Sequence, residues 1–583
     1  MNLNWNTTRL YENLEDPKIK EDIKIIKHKI SQLKEINFNS EENYIQKLET
    51  FLKTDDELEN FTNPLLYSLL ITSTDTENSE GIKLLNQVQE LLADINVAFS
   101  TFKKFVSKVD ISKAIAESKL CKKHEFILNE AKMNAKYALS EEAELVASKY
   151  ALNGGNFWGE LQNQLTSTLM VDIDLEGELK KLPLSEVRSM AHKKSEYLRK
   201  TAYHAELKAY PKIEKSIAAA LNAIKGEAIQ KVKLRGYESV LDMSLAEDRM
   251  DKKTLDALLG AMKESLPIFQ KYFAHKAKLL GHVDGKLPFY DIAAPIGKNE
   301  LKFSLEEACE FVEKNFTKFS DDLGSFVKNA FANDWVDWYP KEGKTDGAFC
   351  LNIKPIKESR VLMNFTSNFY DVTTLAHEFG HAYHNEALKN ETALNSNYGM
   401  SIAETSSTFC ETIVFNSALE NANKSQKISI LEANIAEAAA VIVDIYSRFL
   451  FEDSVIKRRE NGSLSVDELK ELMLDSQKQA YGSSLSCFHP YMWLCKSHYY
   501  EVNYNYYNFP YAYGLLFGYG LYSIYLEEGQ SFAPKYKELL CLTGQKNLHE
   551  IGKVVGIDVQ DINFWRKSLK VIEKNINEFL ELA

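Results

Sequence analysis

The chain has 583 residues, 45% of them hydrophobic and 26% charged, a balance that permits a large buried core and excludes a disordered chain. A formal charge of −13 argues against nucleic acid as a partner, because phosphate binding needs clustered Lys and Arg. No basic n-region with an apolar core opens the sequence, and its seven scattered cysteines form no CxxC pair, so reduced thiols in a cytoplasmic compartment are expected.

In chain order, apolar residues recur every three or four positions over 19–36 and 81–106, which predicts amphipathic helices. "STLMVDIDLEGELKKLPL" (167–184) predicts a β-hairpin turning at Leu175-Glu176-Gly177. It would close an N-terminal helical region, residues 1–185, and leave 186–583 as a second domain. Helical periodicity resumes at 252–281. "GAFCLNI" (347–353) and "RVLMNFTS" (360–367) then read as two short strands joined by a turn containing Pro355. A strand at Val361–Phe365 could lend its edge to an extended peptide, giving backbone hydrogen bonds without demanding particular side chains.

Next comes "TLAHEFGHAYHNEA" (374–387), a helix with Asp371 as its expected N-cap. Two more helical stretches follow at 401–420 and 428–459. From Val502 to Leu526 no residue is charged, but the asparagines, glycines and tyrosines make the segment too polar for lipid; buried interior is expected and no membrane contact. The fold class read from this pattern is mainly α, with a small β-sheet beside the histidine helix.

His377-Glu378-Phe379-Gly380-His381 is an HExxH sequence. Residues four apart on a helix lie one turn above each other, so two imidazoles can converge on one ion. Zinc accepts neutral imidazole and at catalytic sites takes three protein ligands plus water; Glu378, beside the first histidine, could reach that water as general base. Gly380 would leave room beside the metal. His384 lies a further three residues on, about 10 Å of helix rise separating it from His377, and is expected to pack or support rather than bind.

The third ligand must then come from elsewhere. Glu386 faces away from His381, and Glu391 falls in a turn. Glu404 opens the next helical stretch, where a loop and returning helix would bring it back beside the histidines. It also completes a Ser401-Ile402-Ala403-Glu404 capping box, in which it would only satisfy a backbone N–H. With HExxH upstream, Glu404 reads as ligand, and Glu411, seven residues later, can orient a histidine.

These residues resemble the thimet-oligopeptidase family of zinc metallopeptidases, in particular its oligoendopeptidase F branch. The likeness extends over "NWNTTRLYENLEDP" at the start, "PFYDIAAP" (288–295), "GAFC" (347–350), "VLMNFTSNFYDVTTLAHEFGHAYH" (361–384), "AETSSTFCE" and "HYYEVNYNYYNFPYAYG" (498–514). The resemblance implies a multi-helix zinc peptidase fold enclosing a deep channel, one Zn2+ per chain and short peptides as substrates. It implies His377, His381 and Glu404 as metal ligands and Glu378 as base. It further implies that His498, with Tyr507 and Tyr511, stabilises the oxyanion. Where relatives are expected to carry a tyrosine just after Gly514, this chain has Leu515.

Two other readings stay open on sequence. One is a carboxypeptidase of the same family, with Arg360 as the basic residue to capture a substrate carboxylate. The other is a helical peptide-binding protein whose site no longer catalyses.

Overall fold

The periodicities become helices. The computed structural model describes residues 2–93, 95–297 and 301–583, and most of them are helical. The 19–36 pattern is the helix Pro17–Glu35, burying Ile19, Ile23, Ile26, Ile30 and Leu33 along one stripe. The 81–106 pattern is two helices, Ser79–Ala93 and Ile95–Lys108; the 252–281 pattern is Lys252–Leu279. The 428–459 pattern runs through Lys424–Ala439, a wide turn at Ala440–Asp444 and Ile445–Arg459.

Seven short strands are described: β1 (Met170–Leu175), β2 (Glu178–Pro183), β3 (Leu287–Pro288), β4 (Val336–Asp337), β5 (Phe349–Ile353), β6 (Glu358–Leu362) and β7 (Leu485–Cys487). The expected hairpin β1–β2 forms, with Leu175 opposite Glu178 and with Glu176 and Gly177 both at positive φ in the turn. β3 pairs with β7 in parallel, and the third sheet has the order β4-β6-β5.

Two compact units are present, each assembled from separated stretches. One comprises Met1–Ala138, Leu301–Ser417 and Ile524–Ile557; the other Leu139–Glu300, Ala418–Ser523 and Asp558–Ala583. The first unit boundary thus lies at 138/139, ahead of the boundary read at 185/186. The reason is in the cores. Leu48, Phe51, Phe102 and Val106 of the N-terminal helices share a cluster with Ile353 of β5 and Leu362 of β6. The hairpin residues Val171 and Ile173 instead pack with Ile217, Leu221, Trp493 and Tyr499.

The uncharged stretch at 502–526 contains most of the helix Phe509–Glu528, buried without interruption from Ala512 to Tyr522. Gly520 lets Phe564 of the C-terminal helix Ile562–Leu582 approach so closely that a Cβ would meet its ring at 2.5 Å. Among the described residues, no helix is long and apolar enough to cross a membrane.

Candidate metal centre

The HExxH sequence lies in the helix Phe369–Leu388. Its N-terminus is built differently from expectation: Asn368 is the N-cap and Asp371 the third helical residue of a capping box. Asn368 Oδ1 accepts from the Asp371 N–H at 3.1 Å, and Asp371 Oδ2 accepts from the N–H groups of Asn368 (3.1 Å) and Thr366 (2.7 Å). Asp371 still serves the helix start, from inside. The helix packs on β5 and β6 through its apolar side, with Phe379 edge-on to Phe331.

β6 does not offer the edge expected of Val361–Phe365. It lies between β4 and β5, and the N–H groups of Val361, Met363 and Phe365 donate to Trp335, Asp337 and Trp338. The strand at the sheet's margin on this side is β5, whose Cys350 thiol accepts from Asn385 on the histidine helix at 3.7 Å.

After the helix the chain turns and returns through two helices, Met400–Ala403 and Thr405–Asn421, with Glu404 at the break between them. The capping box at Ser401 does not form, because Gly399 is the N-cap and Ser401 is already helical. Glu404 is therefore free to turn its carboxylate to the histidines. Gly380 makes this possible: a Cβ there would meet Ser406 O at 2.5 Å and Ser407 Cα at 2.6 Å. Its role is close approach of the two helices, not room for the metal itself.

His377 Nε2 and His381 Nε2 stand 3.1 Å apart, and Glu404 Oε2 is 3.4 Å from each. This near-equilateral triangle fits a tetrahedral ion. With zinc–ligand bonds of 2.0–2.1 Å, neighbouring ligand atoms lie about 3.3 Å apart. The three side chains are 27%, 22% and 31% exposed, so the cluster has an open face for water or substrate. Among the described residues it is one of two groups of His and acidic side chains that could hold a cation.

Electrostatics point the same way. Burial opposes a charge on His377, yet the Glu411 hydrogen bond and the charges of Glu411, Glu378 and Glu404 push it up to about 10. Burial alone would raise Glu404, but His381, His377 and Ser407 hold it at about 2. The cluster favours positive charge. Glu378 is 5% exposed, and burial raises its carboxyl against the pull of both histidines, which suits a group that must accept a proton.

Around the cluster, part of the support follows the sequence expectation. Glu411 Oε1 meets His377 Nδ1 at 2.9 Å, the orienting contact expected of it. His384 stands outside the cluster, fully buried, its Nε2 2.8 Å from Thr543 Oγ1 and its ring stacked on Tyr398. Ser407 was missed: its hydroxyl donates at 2.9 Å to Glu404 Oε2, the oxygen that faces both histidines. Its spacing of three from Glu404 on a helix was the available signal.

In the other unit, His498 and the two tyrosines form one cluster. The His498 ring lies 4.7 Å from that of Tyr507 and is stacked at 5.7 Å on that of Tyr511. Asn508 faces His498 Nδ1 with its Oδ1 at 3.2 Å, a contact that nothing local in the sequence marks. Burial, above all, holds His498 below the usual histidine range, so its imidazole is neutral near pH 7. Leu515 is buried.

A mainly helical chain with His-Glu-x-x-His on one helix and a glutamate carried beside it by the next defines the HExxH class of metallopeptidases. This chain belongs to peptidase family M3, whose model matches residues 189–571. It is similar to the oligopeptidase PepF of Bacillus subtilis, 25% identical over 479 residues that cover 80% of this chain and 70% of that one. It is also similar to an oligoendopeptidase F homologue of Borreliella burgdorferi, 24% identical over 98% of each chain. Among solved structures it shares its fold with a Chlamydophila abortus protein described as a peptidase, at a TM-score of 0.86 and 21% identity over 100% of this chain and 98% of that one. The oligoendopeptidase F of Enterococcus faecium superposes at a TM-score of 0.71, with 18% identity, over 97% of this chain and 98% of its own.

Proposed function

We propose that the protein is a zinc endopeptidase that hydrolyses internal bonds of short peptides, with His377, His381 and Glu404 holding one Zn2+ and Glu378 as general base. The 3.1, 3.4 and 3.4 Å triangle of ligand atoms carries this reading. A zinc held there supplies Lewis acidity, which polarises a carbonyl and lowers the pKa of water. Glu378, with its raised affinity for a proton, takes one from the attacking water and returns it to the leaving amine. Glu411 holds the His377 ring, and Ser407 holds Glu404.

His498, Tyr507 and Tyr511 are assigned to the oxyanion, and their shared cluster supports the assignment. To donate from Nε2, neutral His498 must accept at Nδ1. Asn508 can supply that hydrogen, because its amide nitrogen has no other partner and a rotation of the amide brings it to Nδ1. Residues 186–583 form the catalytic part in this reading, and the family match over 189–571 supports it. The names of the relatives, oligopeptidase and oligoendopeptidase, support short peptides as substrates. Seven unpaired cysteines support a cytoplasmic setting.

Arg360 is a poor carboxylate receptor. It is 1% exposed, and its guanidinium is spent on Asn6 O (2.7 Å), Ser359 O (2.8 Å) and Glu358 (2.9 Å). This favours the endopeptidase over the carboxypeptidase reading.

The test is metal content and cleavage of an internally quenched peptide blocked at both ends, on the parent protein and Glu378→Gln. The parent should hold one zinc and cut internally; the variant should keep the zinc and lose ~10²–10⁴-fold in kcat. A parent that holds zinc but cuts no peptide in a varied set would make it a binding protein.

A further inference from the structure

Lys225, on the helix Glu214–Arg235, and Glu452, on the helix Ile445–Arg459, form an ion pair at 2.6 Å with neither side chain exposed. Burying two charges is costly, and a well-packed apolar pair commonly serves stability as well or better. The use of this pair lies in what else it holds. Lys225 Nζ donates to Asn505 Oδ1 at 3.1 Å, and Glu452 Oε1 accepts the Tyr506 N–H at 3.1 Å. The next acid, Asp453, accepts the Tyr506 hydroxyl at 3.0 Å. Asn505 and Tyr506 are thus pinned at three points.

Tyr506 has φ of 54°, the left-handed region that a side chain of this kind rarely adopts unless its surroundings impose it. The residue that leaves this turn is Tyr507, whose ring lies tilted 4.7 Å from that of His498, followed by Asn508 on the His498 ring.

We infer that Lys225 and Glu452 are positioning residues for the reaction: their buried pair imposes the left-handed turn at Tyr506 that presents Tyr507 and Asn508 to His498. This rests on the oxyanion role proposed above for Tyr507 and His498. Neither Lys225 nor Glu452 touches the substrate in this account. They act through the turn. Without the pair, the backbone relaxes toward ordinary φ, and the tyrosine and the amide leave the histidine together.

The experiment is a double-mutant cycle on the zinc-loaded enzyme, reading kcat, KM and Tm separately. One arm is Lys225→Met/Glu452→Leu, which removes both charges at once; the other is Tyr507→Phe. The apolar pair, which leaves Asn505 Oδ1 and the Tyr506 N–H without these partners, should lower Tm modestly, lower kcat at least ten-fold and leave KM within three-fold. In the Tyr507→Phe background the same pair should cost clearly less than it costs in the parent, because one of the two groups it positions is already gone. Full kcat in the apolar-pair variant, or losses that multiply, would overturn the inference while leaving the oxyanion role intact. Full kcat in Tyr507→Phe alone would overturn the oxyanion role, and the inference with it. Should the apolar pair not fold, Asn505→Ala, which releases only one pinning contact, goes through the same cycle with the same criteria.

Discussion

Glu411 lies 2.9 Å from Nδ1 of His377, and that one contact decides which nitrogen of the ring is left to face His381 and Glu404. When a metal displaces the proton on Nε2, Glu411 keeps the other on Nδ1, so the lone pair sits on Nε2, where the proposed ligand triangle needs it. Glu411→Ala is therefore expected to weaken zinc binding by ~10–100-fold, with a smaller loss in Glu411→Gln, whose amide oxygen still accepts. A chelator competition titration measures this. Wild-type affinity in the alanine variant would reduce Glu411 to a bystander.

Gly380 governs a distance rather than a bond. Its missing Cβ lets the backbone at Ser406 and Ser407 lie against the histidine helix, two residues beyond the glutamate that must reach across. Gly380→Ala forces backbone against side chain at 2.5 Å, so the helices must separate. The expected cost is about 1–3 kcal/mol of stability in urea unfolding, with weaker metal binding as Glu404 retreats. Unchanged stability and metal content together would show that the helices have slack.

The helices and the proposed ligand set are legible because both rest on periodicity. Spacings of three and four give the buried stripe of Pro17–Glu35, and the same arithmetic puts His377 and His381 on one face and Glu411 on the side of Glu404. What periodicity does not encode is who neighbours whom at long range. β6 reads as an edge until β4, two residues long and twenty-odd positions upstream, is seen to cover it. Asp371 reads as an N-cap because Asn368, an equally good cap, stands three residues before it. Lys225 and Glu452 are separated by more than two hundred residues, so nothing local marks them as a pair.

His384 separates support from ligation. It is the third histidine on the face, but it reaches Thr543 and Tyr398 instead of the His377–His381–Glu404 cluster, and burial drives it down to about 3, so it is neutral at any working pH. His384→Ala should leave one zinc per chain while costing about 2–3 kcal/mol of stability from the lost packing and hydrogen bond. His381→Ala, in contrast, should lose the metal. Loss of zinc from the His384 variant, with the fold intact by circular dichroism, would reopen its place in the ligand set.

Away from the site, Asp55 on the helix Tyr44–Glu59 contributes a stabilisation that is lost as pH rises. Burial, helped by the charges of Glu59 and Asp56 and opposed by Lys354, pushes its carboxyl up to about 7 from an ordinary value of 3.8. A carboxyl whose pKa is raised in the folded state binds its proton more tightly there than in the unfolded chain. The native state is therefore favoured below pH 4 and loses this advantage steadily up to about pH 7, by at most ~4 kcal/mol at about 1.4 kcal/mol per pH unit. Asp55→Asn keeps the shape and removes the charge. Its gain in unfolding free energy over the parent should be larger at pH 8 than at pH 5 by about 2–3 kcal/mol, read from urea transitions at the two values. An equal gain at both would mean that Asp55 ionises in the folded protein as readily as in the unfolded one.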